Sequence, residues 1–357
     1  MIVLDNVIYN LQRTGGVSVV WTELLSRLDL QSKLPVKYLE YGNVQSNIFR
    51  KTLDLNANRI VERPDNFLML KRYLPQRLCG INERHVFHSS YYRYSTNILS
   101  TNITTVHDFT YELFLSGLKR NIHSWQKSEA ILHSKFIVCI SNNTKKDLLR
   151  FVPQADESKI RVIYNGVSDL FYVLPSLTPG IDFPFTSHSY ILFVGSRVGY
   201  KNFDFVVDTV KQTNLNLLIV GAPLNSNEKQ MLESNLLGRY KLECGVSTER
   251  LNAFYNYAFA FMYPSSYEGF GIPVLEAQRA GCPVIALNKS SIPEIIGETS
   301  SMINGLNVNE ALRILSNLEN DKYRSELREK GLFNSKQYSW DRMYSEYFDL
   351  YNEALLN

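Results

Sequence analysis

Short apolar runs alternate with longer amphipathic segments along the chain. The runs predict β-strands at Ile2–Leu4, Val36–Glu40, His85–His88, Thr104–His107, Phe136–Ile140, Arg161–Tyr164, Tyr190–Val194, Asn216–Val220, Lys241–Glu243, Ala260–Tyr263 and Pro283–Ala286. The segments between them predict helices that include Val17–Leu28, Asn121–His133, Asn142–Phe151, Asn202–Thr213, Glu249–Tyr257 and Ile272–Ala280. This alternation indicates parallel sheets. The predicted fold class is therefore α/β, with two Rossmann-like halves.

The two series of strands are separated by a segment with the composition of a linker. Asn165-Gly166 ends the first series, and Leu174–Ser189 then contains three prolines and a glycine. We predict an N-terminal domain over 1–172, a linker over 173–189 and a C-terminal domain over 190–337. Residues 338–357 predict an aromatic amphipathic helix with more apolar surface than a free tail would expose, so this helix should pack against a domain.

Length and composition fit a globular protein of two domains. The chain has 357 residues, 45% hydrophobic and 20% charged. It has no run of about 18 apolar residues, and its first residues lack the order of a signal peptide. The four cysteines are scattered without a CxxC pair, which predicts neither a zinc site nor a disulfide framework. We expect a cytoplasmic protein.

Charge is distributed unevenly between the two halves. Residues 1–170 hold 22 Lys and Arg against 15 Asp and Glu, a net charge of +7, whereas residues 171–357 hold 16 against 20, a net charge of −4. The first half is thus the side expected to face an anionic partner. An anionic membrane surface and a phosphate-bearing lipid acceptor both fit. No recognised nucleic-acid motif is present, so we expect no nucleic-acid partner.

The most informative segment runs from Tyr267 to Ala277, YEGFGIPVLEA. Glu268 and Glu276 flank a Gly-x-Gly turn, and Pro273 suits the first turn of a helix. The preceding strand should deliver this turn to the carboxyl edge of the sheet, where ligands of open α/β sheets bind. The amides of Gly269, Phe270, Gly271 and Ile272 would then face hydroxyl or phosphate oxygens. Glu276 could reach a ribose diol and Glu268 sugar hydroxyls; the alternative is a helix start with two surface glutamates.

A second segment, FVGSRVGYKNF, places Arg197 and Lys201 after another predicted strand. A departing nucleoside diphosphate needs its growing charge neutralised by a metal ion or by protein cations. Because no paired-aspartate metal motif stands out, Arg197 and Lys201 are the candidates and no metal cofactor is expected. The alternative is a solvated loop with two surface charges.

Two weaker candidates lie in the first half. Gly15 and Gly16 follow the first strand and precede the first long helix, as in a phosphate-binding loop, but they lack the full GxGxxG pattern. His107 ends an apolar strand, where it could hydrogen-bond a sugar hydroxyl or stabilise an oxocarbenium-like centre. A purely structural histidine is the alternative.

Taken together, these segments resemble glycosyltransferase family 4, whose members are retaining enzymes with the GT-B fold. The matching segments are TGGV near the start, VHD at 106–108, ISNNTKKDL at 140–148, YNGV at 164–167, GSRVGYKN at 195–202 and EGFGIPVLEA at 268–277. The cation loop looks most like that of bacterial O-antigen and capsule mannosyltransferase-type enzymes. Val17-Ser18 departs from the Ile-Gly-Arg continuation of many relatives, which weakens inferences about acceptor contacts there.

The resemblance implies a role for each matched residue. Arg197 and Lys201 would bind the donor diphosphate, Glu276 the ribose and Glu268 the donor sugar. His107 would lie beside the transferred sugar, and Gly15 and Gly16 would let their loop approach donor phosphate. It also implies parallel sheets facing an interdomain cleft, a C-terminal helix that returns to the first domain, and a metal-independent hexosyltransferase. The implied donor is a GDP-sugar rather than a UDP-sugar, and the implied acceptor is a glycan or lipid-linked glycan of surface polysaccharide synthesis.

Other functions remain open at this point. A GT-B-fold epimerase or phosphorylase, or a protein that binds a nucleotide-sugar without turnover, would use a similar fold. Residues 67–78, FLMLKRYLPQRL, mix large apolar side chains with three cations and could dock on an anionic inner membrane. The alternative is a helix or loop that packs its apolar residues inside and is interrupted by Pro75.

Overall fold

The computed structural model describes residues 1–78, 80–175, 183–298 and 301–356, and it consists of two compact units. Unit 1 contains residues 1–166 and 340–357, and unit 2 contains residues 167–339. Part of the predicted linker, residues 176–182, lies outside the described residues. Within those that are described, no helix is both long and apolar enough to cross a membrane.

Unit 1 is built on a parallel sheet with seven strands in its described residues. They are β1 (Ile2–Asp5), β2 (Val36–Tyr41), β3 (Ile60–Arg63), β4 (His85–Ser89), β5 (Ser100–Val106), β6 (Phe136–Cys139) and β7 (Ile160–Val162). Their spatial order is β3-β2-β1-β4-β5-β6-β7, and each adjacent pair is parallel. The direction of strand addition reverses between β1 and β4. Every residue of β1 is buried, as expected where helices cover both faces of a parallel sheet.

Helices of different lengths surround this sheet. They are α1 (Ile8–Leu11), α2 (Gly16–Gln31), α3 (Ile48–Thr52), α4 (Leu68–Lys71), α5 (Thr110–Phe114), α6 (Gly117–Leu132) and α7 (Asn142–Phe151). The start of α7 shows why the sequence folds this way. The Ser141 hydroxyl accepts a hydrogen bond from the Thr144 amide at 3.0 Å, which satisfies one of the helix's unpaired amides.

Unit 2 repeats the plan with a second parallel sheet. Its described strands are β8 (Tyr190–Val194), β9 (Asn216–Val220), β10 (Tyr240–Glu243), β11 (Ala260–Tyr263), β12 (Val284–Leu287) and β13 (Met302–Ile303), in the order β10-β9-β8-β11-β12-β13. The helices are α8 (Phe203–Lys211), α9 (Ser226–Leu236), α10 (Thr248–Tyr257), α11 (Ile272–Arg279), α12 (Ile292–Ile296), α13 (Val308–Asn317) and α14 (Asp321–Ser335). A core cluster of Ile, Leu, Val and Phe side chains joins β8 and β9 to α8. Here the order reverses between β8 and β11.

The last helix, α15 (Trp340–Leu356), belongs to unit 1 and packs against α2 and β4. A buried polar network fastens it there. His88 on β4 shares a hydrogen bond with the Tyr351 hydroxyl at 2.7 Å through Nδ1 and with the Thr105 hydroxyl at 2.9 Å through Nε2. The Thr105 hydroxyl also bonds the Tyr347 hydroxyl at 2.9 Å. Burial lowers the pKa of His88 to about 3, so its imidazole is neutral at physiological pH.

Candidate active site

The predicted chemistry of unit 2 lies where the order of its sheet reverses. The loop after β8 carries Arg197 and Lys201, and the loop after β11 carries Glu268 and the glycine turn. Because β8 and β11 are adjacent parallel strands, both loops leave the same edge side by side. The crevice at such a reversal, outside the carboxyl ends of the strands, is where open α/β sheets bind ligands.

Lys201 and Glu268 are in direct contact across these two loops. The Lys201 ammonium donates a hydrogen bond to the Glu268 carboxylate, and both side chains are largely buried. The same ammonium lies 5.4 Å from the ring centre of Tyr200 and 5.3 Å from that of Tyr263. The aromatic rings shield the ion pair from water, which strengthens its electrostatic interaction.

Asn202 holds the two loops together. It adopts the left-handed conformation, with φ of 52°, and directly precedes α8. Its side-chain amide donates to the Pro264 carbonyl at 2.7 Å and to the Ser266 hydroxyl at 2.8 Å. The Ser266 amide in turn donates to the Tyr200 carbonyl at 2.8 Å. The separation between the cation loop and the glutamate loop is therefore set by hydrogen bonds rather than by the flexible side chains alone.

Two serines fix the backbone of the glutamate loop from the other side. The Ser290 hydroxyl donates to the Glu268 carbonyl at 2.7 Å. The Ser291 hydroxyl donates to the Glu268 and Phe270 carbonyls at 2.9 and 2.8 Å. Sequence reasoning missed both residues, since two serines after a strand carry no specific signal.

The turn itself depends on Gly271, which directly precedes α11. Its φ is 111°, a conformation that side chains with a Cβ rarely adopt. A Cβ at this position would also lie 2.9 Å from the Ile292 side chain. The side chain of Phe270 is buried against the Tyr338 ring, so only its backbone is available to a ligand.

Glu276 lies in the second turn of α11 and is close to the same cluster. Its carboxylate accepts a hydrogen bond from the Tyr255 hydroxyl at 3.2 Å. Burial raises the pKa of Glu276 to about 7, partly offset by that hydrogen bond. Burial also raises the pKa of the Tyr263 hydroxyl, and the charges of Glu268 and Glu276 both add to this effect. Lys201, Glu268 and Glu276 thus gather around Tyr263.

Arg197 is held by a different part of unit 2. Its guanidinium donates to Glu228 at 2.9 and 3.1 Å and to the carbonyls of Ala222 and Pro223 at 2.9 and 3.0 Å. The side chain is 4% exposed, and its buried Nη1 has no hydrogen-bond partner among the described residues. The structure therefore pairs Lys201 with the glutamate loop but fixes Arg197 on the connection from β9 to α9.

Sequence analysis also missed Glu228 and Gly221, which position Arg197. Glu228 closes a capping box with Asn225, with both reciprocal hydrogen bonds at 2.9 Å, and the pattern Asn-x-x-Glu is readable in the sequence. The pKa of Glu228 is lowered. Desolvation alone would raise it, but the hydrogen bonds from Arg197 and from the Asn225 amide outweigh that effect. A Cβ on Gly221 would lie 2.6 Å from the Gly195 carbonyl and 3.2 Å from Arg197 Nη1.

The remaining predicted residues belong to unit 1. His107 directly follows β5 and is half-buried. Burial lowers its pKa to about 4; the Asp108 charge opposes this shift and the Lys127 charge adds to it. Its imidazole is therefore neutral at pH 7. Gly15 directly precedes α2 and Gly16 is its first residue; a Cβ at Gly16 would meet no atom within 4 Å. Within unit 1 itself, nothing in the geometry requires glycine at position 16.

Comparison with known proteins gives a family match for much of unit 2. Residues 183–332 match the family described as Glycosyl transferases group 1. The O-antigen chain mannosyltransferase B of Escherichia coli is 23% identical over 339 residues, which cover 90% of this chain and 86% of that protein. The O-antigen chain mannosyltransferase RfbU of Salmonella typhimurium is 25% identical over 213 residues, 58% of each chain. These similarities support a glycosyltransferase.

Solved structures resemble the chain over nearly its whole length. Anabaena HepE, crystallised with UDP and glucose, has a TM-score of 0.71 at 12% identity and covers 99% of this chain and 100% of its own. Sucrose-phosphate synthase from Thermosynechococcus elongatus has a TM-score of 0.74 at 17% identity, covering 99% of this chain and 98% of its own. Together with the two parallel sheets, these neighbours confirm the predicted α/β fold of the GT-B type.

Proposed function

We propose that this protein is a retaining glycosyltransferase that moves a hexose from a nucleoside-diphosphate sugar to a glycan or lipid-linked oligosaccharide. The contact between Lys201 and Glu268 at the reversal point of the unit 2 sheet carries this proposal, because it joins a cation and a carboxylate at the sheet edge where such folds bind ligands. The names of the O-antigen mannosyltransferase relatives favour a mannose-like sugar and surface polysaccharide synthesis.

The donor diphosphate would be bound by the two cations of the β8 loop. Lys201 exchanges its carboxylate partner for a phosphate oxygen when the donor binds. Arg197 already satisfies two of its nitrogens with Glu228 and carbonyl groups, and its Nη1, which has no hydrogen-bond partner in the described part of the chain, remains for the anion. These charges stabilise the leaving diphosphate, so the proposed reaction needs no metal ion.

The sugar and ribose would be bound by the two glutamates and the glycine turn. Glu268, released from Lys201, accepts hydrogen bonds from sugar hydroxyls, and the backbone of Gly269–Ile272 contacts sugar and phosphate oxygens. Glu276 accepts hydrogen bonds from the ribose diol. Those bonds favour the ionised carboxylate, so donor binding would lower the pKa of Glu276 from about 7.

The configuration at the anomeric carbon is retained if the acceptor attacks from the same face of the sugar that the diphosphate leaves. The bond from the anomeric carbon to the phosphate oxygen breaks while the bond to the acceptor oxygen forms, and the leaving phosphate takes the acceptor's proton. In this scheme the protein supplies charge stabilisation and positioning rather than a general base. His107, neutral at pH 7, offers a hydrogen bond to the transferred sugar rather than a positive charge.

A donor screen followed by product analysis tests the proposal. Thermal shift is measured with GDP-, UDP-, ADP-, dTDP- and CMP-linked sugars, since a bound donor raises apparent stability. We expect a GDP-sugar to give the largest shift, and NMR of the product to show the anomeric configuration of the donor. If a donor stabilises the protein but no sugar is transferred to glycan acceptors, the protein only binds nucleotide-sugars. A product with inverted anomeric configuration would contradict the retaining mechanism.

A further inference from the structure

A cavity of about 620 Å³ lies in unit 1, beyond the carboxyl ends of adjacent strands. Its lining includes Tyr41 and Arg63, the last residues of β2 and β3, and Arg93, four residues after β4. This is the edge of the unit 1 sheet next to the reversal between β1 and β4, the position at which open α/β sheets bind ligands. None of the residues identified above for the donor lines it.

The cavity is strongly cationic. Arg63, Lys71, Arg77 and Arg93 line it, and no carboxylate is among its described lining residues. Within the described part of the chain, Arg63, Lys71 and Arg77 form no ion pair. Arg93 is already paired with Asp5, but the other three cations repel each other unless an anion joins them, so the lining favours an anionic ligand.

Arg93 is built into the wall rather than displayed on the surface. Its side chain is 2% exposed, pairs with Asp5 at 3.2 Å and lies over the Tyr41 ring at 5.0 Å. Its buried Nε has no hydrogen-bond partner within the described residues. A buried guanidinium donor without an acceptor carries a desolvation cost that a ligand oxygen would remove.

Large apolar side chains are exposed beside this cavity. Phe67 is 74% exposed, Met69 61% and Leu70 69%, while Leu68, the buried member of the same turn, lines the cavity. Leu74 lines the cavity as well and shares a second, smaller one with Trp125 of α6, which is 52% exposed. Apolar groups flanking a basic recess match a molecule with an anionic head and a hydrocarbon body.

We propose that this cavity binds the phosphate or diphosphate head group of a lipid, whose hydrocarbon chain lies against Phe67, Met69 and Leu70. The inference rests on the proposed function, because a lipid-linked acceptor presents such a head group. It deepens that function by assigning the acceptor's anionic group to named residues. A nucleic acid would satisfy the cations but would leave these side chains in water.

Vesicles and a soluble anion test different parts of the proposed ligand. Vesicles present both the anionic head group and the hydrocarbon chains, whereas pyrophosphate presents only the anionic group. Co-sedimentation is measured with phosphatidylcholine vesicles that contain or lack phosphatidic acid, and inorganic pyrophosphate is tested by thermal shift and as a competitor. We expect binding only to vesicles with phosphatidic acid, and competition by pyrophosphate. Binding to neither probe would overturn the proposal.

Two double variants test the head-group and lipid contacts separately. Lys71→Gln with Arg77→Gln should weaken vesicle binding about tenfold or more and reduce the pyrophosphate effect, because each basic group near an anionic surface contributes substantially. Met69→Gln with Leu70→Gln should weaken vesicle binding while the pyrophosphate effect persists. The lipid assignment fails if the Met69→Gln, Leu70→Gln variant binds vesicles as the wild type does. It also fails if a charged oligonucleotide outcompetes the vesicles.

A matched control is available on the opposite edge of the same sheet. Lys33 and Lys135 are both exposed. Lys33 lies three residues before β2 and Lys135 directly before β6, so both are at the amino ends of the strands, away from the cavity. Lys33→Gln with Lys135→Gln removes the same charge and should leave vesicle binding within about twofold; an equal loss would mean that net charge alone drives binding. Donor thermal shift on the same proteins distinguishes the outcomes, since donor binding without vesicle binding rejects only this inference.

Discussion

At the scale of single residues, the site of unit 2 is a set of charges held by neutral neighbours. Lys201 and Glu268 neutralise each other, while Asn202, Ser290 and Ser291 fix the backbone on either side. The pair is thus already positioned before a ligand binds. In the proposed function the donor would bind to charges that are already in position, and such preorganised charge lowers a reaction barrier.

Removal of the Lys201 charge is expected to act on turnover. Lys201→Ala should reduce kcat at least about tenfold, because one well-placed charge that stabilises a leaving group contributes on the order of 10²–10³ in rate. Lys211→Ala is the matched control, since Lys211 is exposed on α8 and its ammonium donates a hydrogen bond to Asn235, outside the candidate site. Steady-state kinetics with saturating donor make the comparison. Equal kcat in both variants would remove Lys201 from the leaving-group role.

The raised pKa of Glu276 predicts a pH-dependent stability. Its pKa is about 7 in the folded protein, against an ordinary value of 4.5 for a glutamate carboxyl. Between these values the unfolded state binds fewer protons than the folded state, so the carboxyl costs stability progressively as pH rises towards 7 and fully above it. Glu276→Gln should therefore raise Tm relative to the wild type at pH 8 and much less at pH 5.

The same variant should lose affinity for the donor, because an amide replaces the carboxylate proposed to accept the ribose hydroxyls. Tm against pH without ligand, and thermal shift with donor at pH 8, measure the two effects. A Tm difference that does not change with pH would contradict a buried, ionisable Glu276. Unchanged donor affinity would contradict its ribose role while leaving the stability result intact.

At the scale of elements, the junction of loop and helix at α11 depends on one glycine. Gly271→Ala forces a Cβ into a conformation with φ of 111° and against Ile292. We expect a cost of about 1–3 kcal/mol and a weaker donor site, since the turn must shift. Gly305→Ala is the control, because its φ is not in this region and its Cβ would meet nothing within 4 Å. Denaturant unfolding that shows equal stability for both variants would refute the strain.

Helix α15 illustrates how a polar network can fasten an apolar helix. Tyr351→Phe would leave His88 Nδ1 buried without its partner, which costs about 1–3 kcal/mol. Tyr344 is buried on the same helix, and its hydroxyl makes no hydrogen bond within the described residues, so Tyr344→Phe is the matched control. Free energies of unfolding from denaturant titration should fall for the first variant only. A similar loss in both would indicate general packing rather than the His88 bond.

At the scale of the whole molecule, the charge division of the sequence corresponds to two different surfaces. The basic half contains the cationic cavity of unit 1, and the acidic half contains the two glutamates near Tyr263. In each unit the strand order of the sheet reverses at one edge, and the charged residues near that edge differ between the two units. The proposed acceptor anion and the proposed donor would use these separate edges.

The proposed metal independence can be tested directly on the full chain. We expect dialysis against a chelator to leave the transfer rate unchanged, because in the proposed function Lys201 and Arg197 would supply the charge that a metal ion would otherwise bring to the diphosphate. The initial rate is measured before dialysis, after it, and after addition of Mg²⁺ or Mn²⁺. Loss of activity that either ion restores would refute the proposal.

The sequence by itself determined the fold class and most of the elements. Strands such as Tyr190–Val194 and Asn216–Val220 were predicted with their observed bounds, since buried strands of parallel sheets read as continuous apolar runs. Strands β3 and β13 were missed. Both lie at sheet edges, and β3 is only partly buried while β13 has two residues, so their hydrophobic pattern is weak.

Tertiary structure decided the partners of each charged group. Lys201 and Glu268 are 67 positions apart, Arg197 and Glu228 31 positions apart, and only the adjacency of strands in the folded sheet brings such groups together. The pKa of Glu276 likewise depends on Tyr255 and on burial, neither of which a spacing reveals. Hydrophobic periodicity is a local property of the chain, so the sequence pattern predicted the strands of the two sheets. Contacts and desolvation depend on residues distant in sequence, so only the folded protein determined which charged groups pair.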